Sequence, residues 1–239
     1  MRPTYSIFCD FDGTVSMKDV TDVLLETYAL PRWQEIEDAW RAGRIGSMEC
    51  MRQQVAMLRC SRRELDAVAD AVAIDPHFPA FAAMCRQAGV PVTIVSDGLD
   101  YVIRRVLRNS GLANLPVRAN RLELLGEGCY ALSFPYAQKG CLSASGTCKC
   151  ALMRALRLPG TQAVLVGDGA SDFCAAREVA DFVLAKDALL QQCRELALPH
   201  AAYKDFSDVQ RLLFNPSHDQ YDVRRQAPGF GYEGYSSHG

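Results

Sequence analysis

Short, almost wholly apolar runs recur along the chain, each ended by polar residues and followed by a stretch of helical period. Tyr5 to Cys9, Val90 to Val95, Ala163 to Gly167 and Asp181 to Ala185 are such runs. Continuous apolar character, rather than strict alternation, is the mark of strands covered on both faces. The stretches Pro79–Gln87, Leu99–Asn109, Cys148–Leu158, Ser171–Val179, Ala188–Ala197 and Asp208–Phe214 read as the intervening helices. Val117 to Leu125 and Cys129 to Phe134, joined through Gly126-Glu127-Gly128, read as an antiparallel pair. Strands alternating with helices predict an α/β fold, a mainly parallel sheet with right-handed crossovers.

Strand patterning lapses between residues 16 and 77. Val20, Val23, Leu24 and Tyr28 recur at helical spacing until Pro31, and Trp33, Ile36 and Trp40 form a second stripe ended by Gly43. Met48, Met51, Val55 and Leu58 form a third. Ser61-Arg62-Arg63-Glu64 has the form of a capping box opening a fourth helix with Leu65, Val68 and Val72. The expected organisation is an α/β core from residues 1–15 and 78–215, with residues 16–77 an inserted helical cap. Either a moving lid or a permanently docked bundle satisfies that pattern. Residues 216–239 are rich in Gly, Ser and Tyr and are expected to be disordered.

Polar motifs stand where the strands end, the place at which parallel sheets bind ligands. Asp10-Phe11-Asp12-Gly13-Thr14-Val15 follows the first strand, and Ser96-Asp97-Gly98 the second. Asp168-Gly169-Ala170-Ser171-Asp172 follows the Ala163 strand, and Lys149 opens the helix between them. Carboxylates two apart at a strand end project to the same side, and their repulsion calls for a cation or a shared proton. Gly13 permits a sharp exit, and Thr14 adds a hydroxyl. Each motif has a plainer alternative. Asp-Gly can be an ordinary turn, Lys149 a surface lysine, and Asp172 a first-turn acid favoured by the helix dipole.

Composition narrows the partners. A formal charge of −2 and the lack of basic runs disfavour nucleic acid. No stretch approaches the ~20 apolar residues of a membrane span, and the N-terminus leaves no room for a signal peptide, so a cytoplasmic location is expected. Of the ten cysteines, Cys9, Cys50, Cys60, Cys85, Cys174 and Cys193 are scattered singly. Cys129, Cys141, Cys148 and Cys150 cluster near Lys149 but lack the paired CxxC spacing of a zinc site. Free thiols are expected throughout.

In their order and placement the four motifs resemble those of the haloacid dehalogenase superfamily of phosphohydrolases, over roughly residues 5 to 215. The resemblance implies a Rossmann-like parallel sheet sandwiched by helices, and a phosphatase. It implies Asp10 as nucleophile, Asp12 as general acid and base, and Lys149 as the group neutralising the phosphoryl oxygens. Ser96, Asp97 and Gly98 would bind the phosphoryl group. Mg²⁺ would be held by Asp10, the Asp12 backbone carbonyl, Asp168 and, directly or at one remove, Asp172. The helical insert is similar to that of the branch containing phosphoserine phosphatase, the enol-phosphate phosphatase of methionine salvage and the phosphocholine phosphatases. Val164 to Glu195 looks most like the methionine-salvage group. Asp97 departs from the Ser-Gly-Gly of that group and of phosphoserine phosphatase, and is closer to the phosphocholine type.

The expected substrate is therefore a small phosphomonoester, with the methionine-salvage enol phosphate first and phosphoserine second, and the protein a monomer or homodimer. A non-catalytic binding protein of the same fold, or a phosphotransferase, would use the same scaffold. Specificity is expected from the insert. Asp19, Asp22 and Glu26 are candidates, with a solvated face as their alternative. Phe11, Met17 and Trp33 are candidate apolar walls, with core packing as theirs.

Overall fold

The computed structural model describes residues 5–215 of the chain; the expectation of disorder for residues 216–239 lies outside the described residues. Seven strands form one sheet in the order β4-β3-β2-β1-β5-β6-β7. β1 (Tyr5–Cys9) is central and pairs in parallel with β2 (Val92–Leu99) and β5 (Gln162–Gly167). β3 (Val117–Gly126) extends the sheet beyond β2 in parallel, and β4 (Cys129–Ser133) pairs antiparallel with it. On the other side come β6 (Phe182–Ala185) and β7 (His200–Ala202), both parallel.

Winding proceeds outward from β1 to β2 and β3, then restarts at β5 and runs the opposite way. The order thus reverses between β1 and β5, which opens a crevice beyond their carboxyl ends. Period-two geometry divides the side chains of β1 between two cores. Tyr5, Ile7 and Cys9 enter one core, shared with α5 (Phe78–Gln87), α6 (Asp100–Asn109) and α10 (Phe206–Phe214). Phe8 enters the other, shared with α7 (Lys149–Leu156), α8 (Phe173–Glu178) and α9 (Asp187–Glu195).

Four helices lie between β1 and α5: α1 (Val20–Tyr28), α2 (Trp33–Arg41), α3 (Ser47–Ala56) and α4 (Arg62–Ala71). Ser61 and Glu64 form the reciprocal cap of α4. Val20, Leu24, Leu25, Val55, Leu58, Leu65 and Ala69 merge with the first core rather than forming a separate one. Polar ties also join insert and sheet. Arg105 of α6 pairs with Asp66 and Asp70 of α4, and the Tyr130 hydroxyl donates to the Cys60 carbonyl. No helix among the described residues is long and apolar enough to cross a membrane.

Candidate active site

β1 ends at Cys9, and the Asp10 amide still donates to the Val166 carbonyl of β5 at 2.9 Å. Asp10 therefore continues the strand's alternation and lies on the side of Phe8, facing α7 and α8. Its Oδ2 accepts from Lys149 Nζ at 2.7 Å and from the Ser171 hydroxyl at 3.1 Å. Lys149 also reaches Asp172 Oδ1 at 2.5 Å and Ser171 Oγ at 2.9 Å. Asp172 sits in a 3-10 turn, Ala170–Asp172, and its Oδ2 accepts from the amides of Asp168 and Gly169. Asp10, Lys149 and Asp172 are all buried.

Asp168 completes the group. The carboxylate oxygens of Asp10, Asp168 and Asp172 lie within 4.8 Å of one another. Burial, and next the charge of Asp10, push the Asp168 carboxyl up to about 6, against a 2.5 Å hydrogen bond from the Thr14 hydroxyl. Burial likewise raises Asp172, opposed by Lys149. The ammonium of Lys149 loses hydration on burial, but the two carboxylates it touches more than reverse that and keep it protonated. Three carboxylates against one ammonium leave an excess of negative charge. All the side-chain donors are hard oxygens, which suits a divalent cation such as Mg²⁺.

Asp12 is placed differently from the strand-alternation expectation. After Asp10 the chain leaves the sheet in a turn in which the amides of Thr14, Val15 and Ser16 all point at the Phe11 carbonyl. Gly13 takes φ +72 there, and a Cβ at that position would lie 2.5 Å from Asp168 Oδ2. The turn carries the Asp12 carboxylate away from the three-acid group and toward the insert, where Oδ1 accepts from the Val20 amide at 2.9 Å. Its Oδ2 lies against Gly98, where a Cβ would collide with it. Burial, then the Asp19 charge, push the Asp12 carboxyl well above the usual carboxylate range. Two carboxylates two residues apart thus separate, Asp10 into the ionic cluster and Asp12 to the side facing the insert.

Asp10, Asp12, Ser96, Asp97, Gly98 and Asp168 all border one cavity of about 300 Å³. Ser96 Oγ accepts from the Gly98 amide at 2.9 Å, so this segment is folded on itself. Asp97 acts as a tie: Oδ1 accepts from the Thr147 amide at 2.8 Å, and Oδ2 from Ser47 of α3 at 2.6 Å. It connects β2, the approach to Lys149 and the insert.

The insert supplies the far wall. Asp19 and Asp22 border the cavity; Glu26, Phe11, Met17 and Trp33 do not. Phe11 is fully buried in the core, Trp33 packs against it, and Met17 is 62% exposed. The wall is instead built from Glu37, Trp40, Arg41, Cys50, Met51 and Gln54. Trp40 and Met51 belong to the stripes that predicted α2 and α3, but helical period alone does not say which stripe residue meets the sheet. Glu37 organises this wall by accepting from Arg41 Nε at 2.9 Å and Gln54 Nε2 at 3.0 Å. Ser171 also went unremarked as a site residue; its place between two acidic motif positions was the available signal.

Residues 7–177 match the haloacid dehalogenase-like hydrolase family. The chain is 34% identical over 208 residues to the 2-hydroxy-3-keto-5-methylthiopentenyl-1-phosphate phosphatase of Geobacillus kaustophilus, covering 85% of this chain and 92% of that one. It is 30% identical over 210 residues to the enzyme of the same name from Brevibacillus brevis, covering 87% and 94%. Among solved structures it is similar to a phospho-aspartyl intermediate analogue of phosphoserine phosphatase, with a TM-score of 0.63 and 17% identity over 88% of this chain and 99% of that one.

Proposed function

The chain belongs to the haloacid dehalogenase-like hydrolases, and from that premise we propose that this phosphatase cleaves 2-hydroxy-3-keto-5-methylthiopentenyl 1-phosphate through an aspartyl-phosphate. The observation that carries the reading is the convergence of Asp10, Asp12 and Asp168 on one cavity, with Lys149 and Asp172 directly behind Asp10. The catalytic core is residues 1–15 and 78–215, and residues 16–77 are the cap that selects the leaving group.

Phosphomonoester dianions repel nucleophiles, so positioning and charge neutralisation carry most of the catalysis. Asp10 attacks phosphorus with a carboxylate held in place by its own Phe11 amide at 2.7 Å, by Ser171 and by Lys149. Asp12 acts as the general acid, a role favoured by burial and the neighbouring Asp19 charge, which raise its carboxyl above the usual range. Its proton passes to the leaving oxygen as the phosphorus–oxygen bond breaks. The resulting Asp12 carboxylate then takes a proton from the water that cleaves the acyl phosphate. Lys149 neutralises charge gathering on Asp10 and the phosphoryl oxygens. Ser96, Asp97 and Gly98 border the cavity and would receive the phosphoryl group. Asp10, the Asp12 carbonyl, Asp168 and Asp172 would hold Mg²⁺, which when bound supplies positive charge against the phosphoryl group.

Two features of the cap wall support this substrate. Trp40, Cys50 and Met51 offer polarizable contact to a thioether tail. Arg41, fixed at Nε by Glu37, is the cation bordering the cavity and can donate to the substrate's ketone and hydroxyl oxygens.

A phosphate-release panel tests the reading: the enol phosphate, phosphoserine, phosphocholine and p-nitrophenyl phosphate, each with Mg²⁺. The expected result is a kcat/KM for the enol phosphate at least about 10²-fold above phosphoserine. Equal, poor turnover of all four, or preference for phosphoserine or phosphocholine, would overturn it.

A further inference from the structure

All ten cysteines are free thiols; near Lys149, Cys141 lies in hydrogen-bond reach of Cys148, and Cys150 meets Cys174. Cys150 stands next to Lys149 in the first turn of α7, and Cys174 two residues beyond Asp172 in the first turn of α8. The Cys150 thiol donates to the Cys174 sulfur across 3.3 Å. Cys150 is buried and Cys174 half-buried, so the pair has one sealed and one reachable member. Around it pack Cys148, Met153, Ala175 and Ala176. Packing accounts for a single buried cysteine as a small hydrophobe. It does not account for two sulfurs in contact across the joint between the helix that carries Lys149 and the helix that follows Asp172.

We infer that Cys150 and Cys174 are an oxidisable dithiol, a covalent modification site at which hydrogen peroxide forms a disulfide that reversibly lowers phosphatase activity. The effect on activity rests on the proposed roles of Lys149 and Asp172; formation of the bond does not. In the first step the Cys174 sulfur attacks the peroxide, the O–O bond breaks, and a sulfenic acid and one water form. In the second step the Cys150 sulfur attacks the sulfenic sulfur, the S–S bond forms, and the S–O bond breaks. The departing hydroxide leaves as water with the Cys150 proton. Two thiols lose two electrons and two protons, and the peroxide becomes two waters. A disulfide is ~2.05 Å long, so the sulfurs must approach by about 1.3 Å. That movement draws α7 toward α8. Lys149 is fixed by contacts of 2.7, 2.5 and 2.9 Å to Asp10, Asp172 and Ser171, and a shift of its helix disturbs all three.

The test exposes the full chain with Mg²⁺ to hydrogen peroxide, alkylates the remaining thiols, and maps the unreduced tryptic peptides by mass spectrometry. Trypsin cuts after Lys149 and so separates Cys148 from Cys150. Phosphate release from p-nitrophenyl phosphate is followed in parallel. The expected result is a Cys150–Cys174 cross-link, a fall in activity of about 10- to 10²-fold, and recovery with dithiothreitol. Cys174→Ser is expected to keep the reduced activity and resist peroxide, with Cys150→Ala behaving alike. No cross-link, a cross-link at undiminished activity, or equal inactivation of Cys174→Ser would overturn the inference. So would protection by Cys141→Ser in place of Cys174→Ser. A wild-type chain with no phosphatase activity would instead count against the proposed function, and the peptide map would still decide whether the dithiol closes.

Discussion

Replacing Lys149 by Met removes the ammonium while keeping much of its volume. The wild-type side chain is 3% exposed and faces Asp10 and Asp172, at 7% and 0%, across 2.7 and 2.5 Å. Breaking one buried pair by deleting a partner costs about 3–5 kcal/mol, because the other charge is left uncompensated. Here two carboxylates lose their cation at once, with Asp168 close by. Full ionisation of all three is too costly, so Asp172, which burial already raises, takes up a proton. That relief keeps the expected loss at about 3–5 kcal/mol near neutral pH. The same protonation fixes the pH dependence. A carboxyl whose folded pKa is raised binds more protons folded than unfolded, so it contributes stability at low pH that is lost as pH rises from the unfolded value of ~3.9 through the folded one. Because the wild-type Asp172 carboxyl is itself raised to about 7, the variant holds an extra proton only above that value, so the destabilisation should grow as pH rises from about 7, by up to ~1.4 kcal/mol per pH unit for one proton. Urea unfolding of both proteins in EDTA, followed by circular dichroism, measures it. A cost below about 1 kcal/mol, or one independent of pH, would refute the buried ion-pair reasoning.

Three further outcomes follow from the same geometry. Asp12→Asn should cut kcat by about 10²–10⁴-fold for alkyl phosphates but far less for p-nitrophenyl phosphate, whose leaving group needs no proton; equal losses would remove Asp12 from proton transfer. Without metal, wild-type stability should fall as pH rises from about 4 through about 6, because the folded Asp168 carboxyl is raised to that value. Added Mg²⁺ should then raise Tm more at pH 7.5 than at pH 4.5, and chelation should abolish phosphate release. Arg41→Ala should raise KM for the enol phosphate about tenfold or more while leaving p-nitrophenyl phosphate unaffected, and Glu37→Gln should show a weaker form of the same effect.

Local pattern carried most of the fold because the central strands are largely apolar and three of the four motifs lie at their ends. The four insert helices were readable from their stripes, and α4 from its capping box. β7 was not anticipated: His200–Ala202 is three residues long and pairs only at the sheet's edge with β6, too short to show a period. Asp10, Asp168 and Asp172 drew notice by their place at strand ends and Lys149 by its place in the motif order, and the structure brings the four together. The direction of Asp12 was not legible, because a turn rather than strand alternation sets it. The wall of Glu37, Trp40, Arg41 and Met51 depends on how α2 and α3 pack over the sheet, a long-range matter that no local spacing encodes. The meeting of Cys150 with Cys174 has the same origin, since two scattered cysteines become neighbours only when α7 and α8 pack.

Rapid acid quench during turnover, followed by peptide mass spectrometry, tests the central claim most directly. A phosphoryl group on the peptide containing Asp10, formed within one turnover and absent from Asp10→Asn, is the predicted result. Phosphate release at the wild-type rate by Asp10→Asn, or a phosphoryl group trapped on another residue, would contradict it.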